Sequence, residues 1–206
     1  MEETHIEKLA EMLAKIHQIG IGKYNRVFDK DEDKEKSLRS VYRKEFKKWS
    51  EEPYREYLDT AEEPQNDLKQ YFKKQKELVD EVPEVKVDQS FIHSDLGFNL
   101  RTEEDKISIV DWEYGTAGYP GHDIMILFEH GQMSERQREL FLKEYKNHRE
   151  LEETFQKVRD IHKGFLAFHD AVWAAKRLEK EEETEDRKKI LKRKMKKLET
   201  FYKNRE

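Results

Sequence analysis

Four side chains that can do chemistry stand close together in one stretch of the chain: His93, Asp95, Asn99 and Asp111. Asp95 can accept a proton from a substrate hydroxyl and orient that hydroxyl for attack. Asn99 and Asp111 offer hard oxygen ligands, which suit a Mg²⁺ ion held partly by protein and partly by substrate phosphates. A carboxylate base beside two such ligands predicts transfer of a phosphoryl group to an alcohol.

Two short strands are expected to position these groups. The segment from Ile107 to Val110 is rich in β-branched residues, which predicts a strand with Ile107 and Ile109 on one face. The polar segment from Thr102 to Lys106 is long enough to turn the chain between this strand and the preceding one. The ends of the two strands then bring the histidine, the asparagine and both acidic residues near each other.

The motifs in this stretch resemble those of the aminoglycoside phosphotransferase and choline kinase superfamily. That family carries H-x-D in its catalytic loop and D-[WF]-E further on; here H-S-D ends on Asp95 and D-W-E-Y-G begins at Asp111. A later D-I, at Asp123, is similar to the choline kinase branch. Each residue alone also fits a polar β-turn with capping Asp and Asn side chains, but the combined spacing favours the resemblance.

The resemblance implies a phosphotransferase that uses Mg²⁺ with ATP as co-substrate and acts on a small hydroxylated molecule, such as choline or an aminoglycoside. It makes Asp95 the catalytic base, with His93 and Asp123 bracing its loop. It makes Asn99 and Asp111 the ligands of the metal and its nucleotide.

One spacing departs from the family pattern. The family places its Asn five residues after the catalytic Asp, whereas Asn99 follows Asp95 by four. Gly97 allows the loop a tighter path that would keep the Asn99 oxygen on the metal; without that path the oxygen misses it. Glu113 is expected to support the site, either by orienting it or contacting a cationic substrate, or through a structural hydrogen bond.

The composition limits the class of protein. Charged residues make up 42% of the 206 residues, hydrophobic residues 35%, and the net charge is −5. Interspersed Lys and Glu with this net charge argue against nucleic-acid binding. The absence of cysteine excludes disulfides and thiolate metal sites. No apolar stretch approaches membrane-spanning length, so we expect a cytoplasmic protein without a membrane partner.

Helical periodicity dominates the rest of the chain. Thr4 is the predicted N-cap of the first helix, with Glu7 completing a capping box, and His17 is predicted to pack on its apolar face. Ser134 is a further predicted N-cap. The other helices are predicted over Glu35–Trp49, Asn66–Val79, 121–131, Glu150–Leu178 and Glu182–Tyr202, with a loop over Ile21–Asp33.

The resemblance implies that residues 30–82 form the helical insertion that helps to build the substrate pocket in the family. Glu51, Glu52, Tyr54 and Tyr57 could face a cationic substrate there, although solvated surface is the favoured interpretation for each of them.

The last predicted helix is basic from Arg187 to Lys197. This block could touch an acidic partner or a membrane surface, but a charged face exposed to solvent is the favoured interpretation.

The sequence therefore predicts one domain over residues 1–206: a mainly α-helical (α+β) C-terminal lobe of a kinase-like fold, with a small β-hairpin carrying the catalytic loop. The family's N-terminal lobe supplies a glycine-rich loop and a strand lysine for the phosphates, and no G-x-G-x-x-G occurs here. We expect the ATP-binding lobe to be absent. Either an N-lobe partner chain supplies the missing half of the site, or the lobe is catalytically weak or inactive and binds a small molecule or a protein. A third alternative is an interaction protein whose exposed hydrophobic upper face is covered by a second copy in a homodimer.

Overall fold

The computed structural model describes residues 2–19, 35–61, 65–104, 106–131, 133–151, 153–180 and 184–205. They group into two compact units, one formed by Met1–Leu38 with Val85–Gln156 and the other by Arg39–Glu84 with Lys157–Glu206. Helices predominate, and the strands form two-stranded antiparallel sheets. This confirms the predicted mainly helical fold with small β elements, while the single C-terminal lobe and the role of residues 30–82 stay predictions.

In the part of the chain that the structure describes, the first unit is built around α1 (Glu3–His17), α5 (Pro120–His130) and α6 (Glu135–His148). α1 packs against α6, and α5 is buried through its first nine residues. Ser134 caps α6 as predicted, because its hydroxyl accepts from the Gln137 backbone and the Gln137 side chain accepts from the Ser134 backbone. The cap predicted at Thr4 is wrong, since α1 begins at Glu3, so that Thr4 lies inside its first turn, and the helix has no side-chain cap.

Within the described residues, six short strands complete the first unit and pair in three antiparallel sheets. They are β1 (Glu35–Ser37) with β2 (Lys86–Asp88), β3 (Ser90–Ile92) with β6 (Thr116–Gly118), and β4 (Leu100–Glu103) with β5 (Lys106–Ile109). Ile107 and Ile109 lie on the same half-buried face, as predicted. The turn predicted over Thr102–Lys106 is too long, because Thr102 already pairs with Ile107.

The second unit is helical. It contains most of α2 (Leu38–Phe46), a π-helical turn (Lys47–Glu51), α3 (Glu52–Thr60), α4 (Asn66–Asp80), most of α7 (Phe155–Lys180), and α8 (Glu185–Lys203). Its core is aromatic: the Tyr54 ring lies 4.6 Å from Phe72 and 5.7 Å from Phe168, centroid to centroid. Tyr54 and Tyr57 are 1% and 2% exposed, so neither is solvated surface nor a contact for a cationic substrate.

The predicted helix boundaries fail mainly at their starts. Residues 35–37 form β1, and the helix predicted from Glu35 begins at Leu38. The helices predicted from Glu150 and Glu182 begin at Phe155 and Glu185, whereas α4 begins at Asn66 as predicted. The predicted loop Ile21–Asp33 lies outside the described residues. Within the described ranges, no helix has both the length and the apolar composition needed to cross a bilayer.

Candidate active site

The loop that carries the predicted catalytic residues begins where β3 ends. The backbone N–H of His93 donates to Asp123 Oδ2 at 2.7 Å, and that of Ser94 donates to Oδ1 at 2.8 Å. Asp123 is fully buried in the first turn of α5. One carboxylate therefore holds two consecutive peptide groups of the loop against the helix. Ser94 has a φ of 70°, a left-handed conformation that costs free energy for a residue with a Cβ.

A histidine from α1 completes the surroundings of this carboxylate. His17 Nε2 lies 3.2 Å from Asp123 Oδ2, and His17 Nδ1 lies 2.9 Å from the Tyr145 hydroxyl. Burial alone would raise the pKa of Asp123, but the hydrogen bond and attraction from His17, with the backbone donor of His93, hold it below its ordinary value. We call His17, Tyr145, Asp123 and the backbone of His93 and Ser94 the buried network.

The ring of His93 is buried and engaged at both nitrogens. Nε2 lies 2.8 Å from the carbonyl oxygen of Val110, and Nδ1 lies 3.2 Å from the backbone nitrogen of Asp95. A carbonyl only accepts and a backbone N–H only donates, so the ring carries its proton on Nε2 and accepts at Nδ1. His93 thus ties the start of the loop to the residue before Asp111.

Asp95 and Asn99 are joined directly. Burial raises the pKa of the half-buried Asp95 carboxyl, although the hydrogen bond from Asn99 opposes this shift. The Asn99 amide nitrogen donates to the Asp95 carbonyl oxygen at 2.7 Å and to Asp95 Oδ2 at 3.2 Å. Because both partners are acceptors, they fix which end of the amide is nitrogen. Asn99 Oδ1 accepts no hydrogen bond from any residue that the structure describes.

Asn99 and Asp111 flank the open end of the β4–β5 hairpin, where the Val110 N–H donates to the Asn99 carbonyl oxygen at 3.0 Å. Asp111 is exposed and has a φ of 62°. Its charge adds to the effect of burial in raising the pKa of Asp95, so the two carboxylates are within electrostatic reach. The structure therefore brings together the Asp95 carboxylate, Asn99 Oδ1 and the Asp111 carboxylate, which we call the oxygen group.

The oxygen group has the chemistry of a Mg²⁺ site that phosphates complete. All its atoms are hard oxygens, and Asn99 Oδ1 is not committed to a donor within the described residues. Among the residues that the structure describes, no group of three or more His, Cys, Asp or Glu side chains could hold a metal by itself. Proteins commonly hold Mg²⁺ through one or two side chains together with substrate phosphates, and the oxygens of Asn99 and Asp111 suit that mode.

Gly97, in the short turn between Asp95 and Asn99, packs closely against α5. Residues Leu96–Phe98 form a 3₁₀ turn that packs against α5. A Cβ added to Gly97 would lie 2.4 Å from His130 Cβ and 3.1 Å from the Ile126 carbonyl oxygen. Gly97 does not have a positive φ. It is therefore required for close approach to the helix and not for a special backbone conformation.

Glu113 and Tyr114 lie on the exposed side of the site, in the 3₁₀ turn Trp112–Tyr114. The charge of Glu113 and its hydrogen bond raise the pKa of the Tyr114 hydroxyl, with smaller effects from Asp95 and Asp111. Tyr114, which is 42% exposed, is thus within electrostatic reach of three carboxylates. A hydrogen bond is one of the roles predicted for Glu113; its contact with substrate stays a prediction.

Sequence reasoning does not assign two members of the buried network to the site. It predicts that His17 is packed, and His17 is fully buried, but its partner Asp123 lies 106 positions away. Tyr145 lies 128 positions from His17. The one usable signal is a histidine on an apolar helix face, which needs a polar partner when buried.

Comparisons with solved structures show the fold. Choline kinase LicA from Streptococcus pneumoniae is 20% identical with a TM-score of 0.62, over 96% of this chain and 64% of that one. A choline/ethanolamine kinase family protein from Mesorhizobium loti is 14% identical with a TM-score of 0.66, over 95% and 60%. Spectinomycin phosphotransferase APH(9)-Ia, solved with ADP and spectinomycin, is 16% identical with a TM-score of 0.57, over 97% and 62%.

The chain spans less than two thirds of the length of each of these proteins. A comparison with curated protein sequences gave no significant match. The family model for choline/ethanolamine kinase matches residues 1–203. Because that match covers nearly the whole chain, the chain belongs to the choline/ethanolamine kinase family.

Proposed function

We propose that the chain acts in the ATP- and Mg²⁺-dependent phosphorylation of an alcohol group on a small molecule, with Asp95 as the general base. The observation that carries the proposal is that the two ends of the Asn99 side-chain amide are used differently. Its amide nitrogen is committed to Asp95, at 2.7 and 3.2 Å, and its amide oxygen accepts nothing from the described residues. One side chain thereby couples the position of the base to the position of a metal ligand.

The residues have distinct roles in this proposal. Asp95 accepts the proton of the acceptor hydroxyl, and a pKa raised by burial makes it a stronger base than an ordinary carboxylate. His93 holds the Asp95 backbone, and Asp123 holds the start of the loop. Asn99 and Asp111 would hold Mg²⁺-ATP, which supplies the phosphoryl group and a metal charge that stabilises it during transfer.

The exposed side of the site has groups that would attract a cationic acceptor. The Tyr114 ring is exposed and lies within electrostatic reach of Glu113, Asp95 and Asp111. An aromatic face attracts an ammonium group, and nearby carboxylates add to that attraction. Choline, ethanolamine and aminoglycosides combine such a cation with hydroxyl groups, so they are the first acceptors to examine.

A second candidate is a binding module that holds the small molecule without phosphorylating it. The observation that favours it is the short spacing from Asp95 to Asn99, because a displaced Asn99 oxygen would weaken the metal site. The two candidates differ in a measurable property: the module binds the acceptor but needs neither Mg²⁺ nor nucleotide.

The testing experiment is calorimetric titration of residues 1–206 with Mg²⁺-ATP, followed by an ADP-release assay with each acceptor. Asp111→Ala should abolish Mg²⁺-dependent nucleotide binding. Glu103→Ala, which removes an exposed carboxylate from the other end of the same hairpin, should leave it unchanged.

Wild-type binding that requires Mg²⁺ and disappears only in Asp111→Ala would support the kinase. Acceptor binding without any nucleotide binding or ADP release would instead establish the binding module and remove the kinase proposal.

A further inference from the structure

The exposed face of α8 carries an excess of positive charge that the site chemistry does not use. Helix α8 contains nine Lys or Arg residues against three Asp or Glu residues, in a chain whose net charge is −5. Its opposite face is buried in the core of the second unit through Leu191, Leu198 and Tyr202. The charge is therefore concentrated on one side of a helix that the domain already fixes in place.

Five of these cations form a single row, which we call the α8 stripe: Lys189, Lys192, Arg193, Lys196 and Lys203. They recur at steps of three, four and seven residues, which places them on one helix face. The row extends over about 21 Å at 1.5 Å per residue. All five are exposed.

Few of these charges are neutralised within the protein. Lys189 pairs with Asp186 at 3.4 Å, but both side chains are more than 70% exposed, and such pairs are weak. Lys192, Arg193 and Lys196 make no ion pair with any residue in the described part of the chain. By contrast, Lys194 lies off the stripe and pairs with the largely buried Asp170 at 2.6 Å.

We propose that the α8 stripe is a docking surface for an anionic phospholipid membrane. Juxtaposed Lys and Arg side chains are attracted to the negative surface of such a bilayer without any specific contact. A helix that is half embedded in its own domain presents one narrow, straight row of charge, and a plane of lipid headgroups can meet the whole row at once. The membrane contact is peripheral, because the stripe has no apolar side chain to insert.

The composition of the stripe disfavours a nucleic acid. It offers no Asn or Gln side chain to pair with a base edge in the major groove. The stripe also lacks an aromatic ring on which a single-stranded base could stack. The stripe can therefore attract a partner only through its positive charge. That attraction weakens with salt, because the Debye length shortens from about 10 Å at 0.1 M to about 3 Å at 1 M.

The test is co-sedimentation of residues 1–206 with vesicles of phosphatidylcholine alone or with about one third phosphatidylserine. The wild type should bind only the anionic vesicles, and salt near 1 M should release it. The variant K192Q/R193Q/K196Q should reduce the partition coefficient roughly a hundredfold, on the order of fivefold for each charge removed. Charge reversal in K192E/R193E/K196E should reduce it further.

A matched control reverses three exposed lysines elsewhere, K106E/K143E/K146E, and changes the net charge by the same amount. It should keep most of the binding, since it leaves the stripe intact. Circular dichroism checks that each variant is folded.

Three results would overturn the proposal: no binding of the wild type to anionic vesicles at low salt, equal binding to neutral vesicles, or equal losses in the stripe and control variants. A wild type that ignores vesicles but binds a short RNA duplex would assign the stripe to nucleic acid instead.

Discussion

The two sides of the catalytic loop differ in how their polar atoms are used. In the buried network, Asp123 accepts hydrogen bonds from two backbone N–H groups and from His17. The other ring nitrogen of His17 is hydrogen-bonded to the Tyr145 hydroxyl. The oxygen group, a few residues away, has an exposed Asp111 and an Asn99 oxygen without a donor among the described residues. The hydrogen bonds on the first side hold the loop in place, and the open oxygens on the second side are where we propose that a ligand binds.

The pKa values of the carboxyl groups on the two sides are also shifted in opposite directions. Burial would raise the pKa of both carboxyls, but in Asp123 the hydrogen bonds overcome it and the pKa is lowered. In Asp95 burial prevails, and the pKa is raised. Ionised Asp123 therefore stabilises the folded protein, whereas ionised Asp95 is held there at some cost to folding, as expected of a group kept for reactivity.

Replacement of the base is expected to have the largest effect. Asp95→Asn keeps the shape of the side chain but cannot accept a proton, so the proposed phosphotransfer should fall roughly 10²–10⁴-fold. The melting temperature should not fall, because the variant removes a carboxyl whose ionised form the fold disfavours. Steady-state ADP release and thermal unfolding measure the two quantities. Turnover close to that of the wild type would remove Asp95 from the role of base.

Removal of the buried Asp123 carboxylate should have the opposite effect to Asp95→Asn, because it should lower the stability of the folded protein. Asp123→Ala leaves two buried N–H groups and His17 without their acceptor, at about 1–3 kcal/mol for each lost partner. We expect the free energy of unfolding to fall by about 3–5 kcal/mol in urea titrations.

The matched control for Asp123 is Asp160→Ala, an exposed carboxylate paired with Lys163 at 3.1 Å, which should cost less than about 1 kcal/mol. Similar losses in the two variants would mean that the buried network does not hold the loop.

The two carboxyl groups should also make the free energy of unfolding depend on pH in opposite directions. Because the folded pKa of Asp123 is lowered, its stabilisation is complete above the unfolded value near 3.8 and is lost as pH falls through the folded pKa. Because the folded pKa of Asp95 is raised, stability instead declines as pH rises from 3.8 through its folded value.

Urea unfolding from about pH 2 to 7 should therefore show two separate changes. Asp123→Asn should reduce the loss of stability at acidic pH, and Asp95→Asn should remove the decline in stability at higher pH. A variant that leaves the corresponding change unaltered would contradict the direction of the pKa shift assigned to that carboxyl.

The oxygen group could be predicted from sequence because its chemistry depends on residue type at short spacing. Asn99 and Asp111 flank a local hairpin, so strand patterning alone predicts that they lie near Asp95, although the predicted turn is too long. The buried network could not be predicted as a unit, because His17 and Tyr145 reach the site through helix packing across more than 100 positions. No local pattern encodes such a contact.

The same distinction explains the errors in the fold. The strand β1 is polar and only three residues long, and its pairing with Lys86–Asp88 is a tertiary contact that the helical pattern after it conceals. The sequence favours a solvated surface position for Tyr54 and Tyr57 beside acidic neighbours, yet both belong to the aromatic core of the second unit. Burial of aromatic area outweighed the polar context there.

A smaller effect is expected where the loop crosses α5. Gly97→Ala would bring a Cβ to 2.4 Å from His130 Cβ, so the turn between Asp95 and Asn99 must shift. We expect a loss of about 1–3 kcal/mol in the free energy of unfolding, with reduced phosphotransfer. The double variant Gly97→Ala/His130→Gly restores the space and should recover part of the stability. A double variant with simply additive losses would show that His130 is not the obstacle.

The smallest expected effect is a gain, and it comes from the residue between the two sides of the loop. Ser94 has a φ of 70°, and its buried hydroxyl finds no protein partner within the described residues. Ser94→Gly relieves a left-handed conformation worth about 1–2 kcal/mol but adds about 0.5–1 kcal/mol of unfolded-state entropy. The free energy of unfolding should therefore rise by up to about 1 kcal/mol.

The matched control for Ser94 is Ser108→Gly, at an exposed position of β5, which should lose about 0.5–1 kcal/mol, because a strand interior gains nothing from glycine. Phosphotransfer should remain unchanged in Ser94→Gly if Asp123 alone fixes the loop through the backbone. Equal destabilisation by the two glycines would mean that the Ser94 conformation carries no cost. A stabilised but inactive Ser94→Gly protein would mean that the serine side chain, and not only the buried network, keeps Asp95 in place.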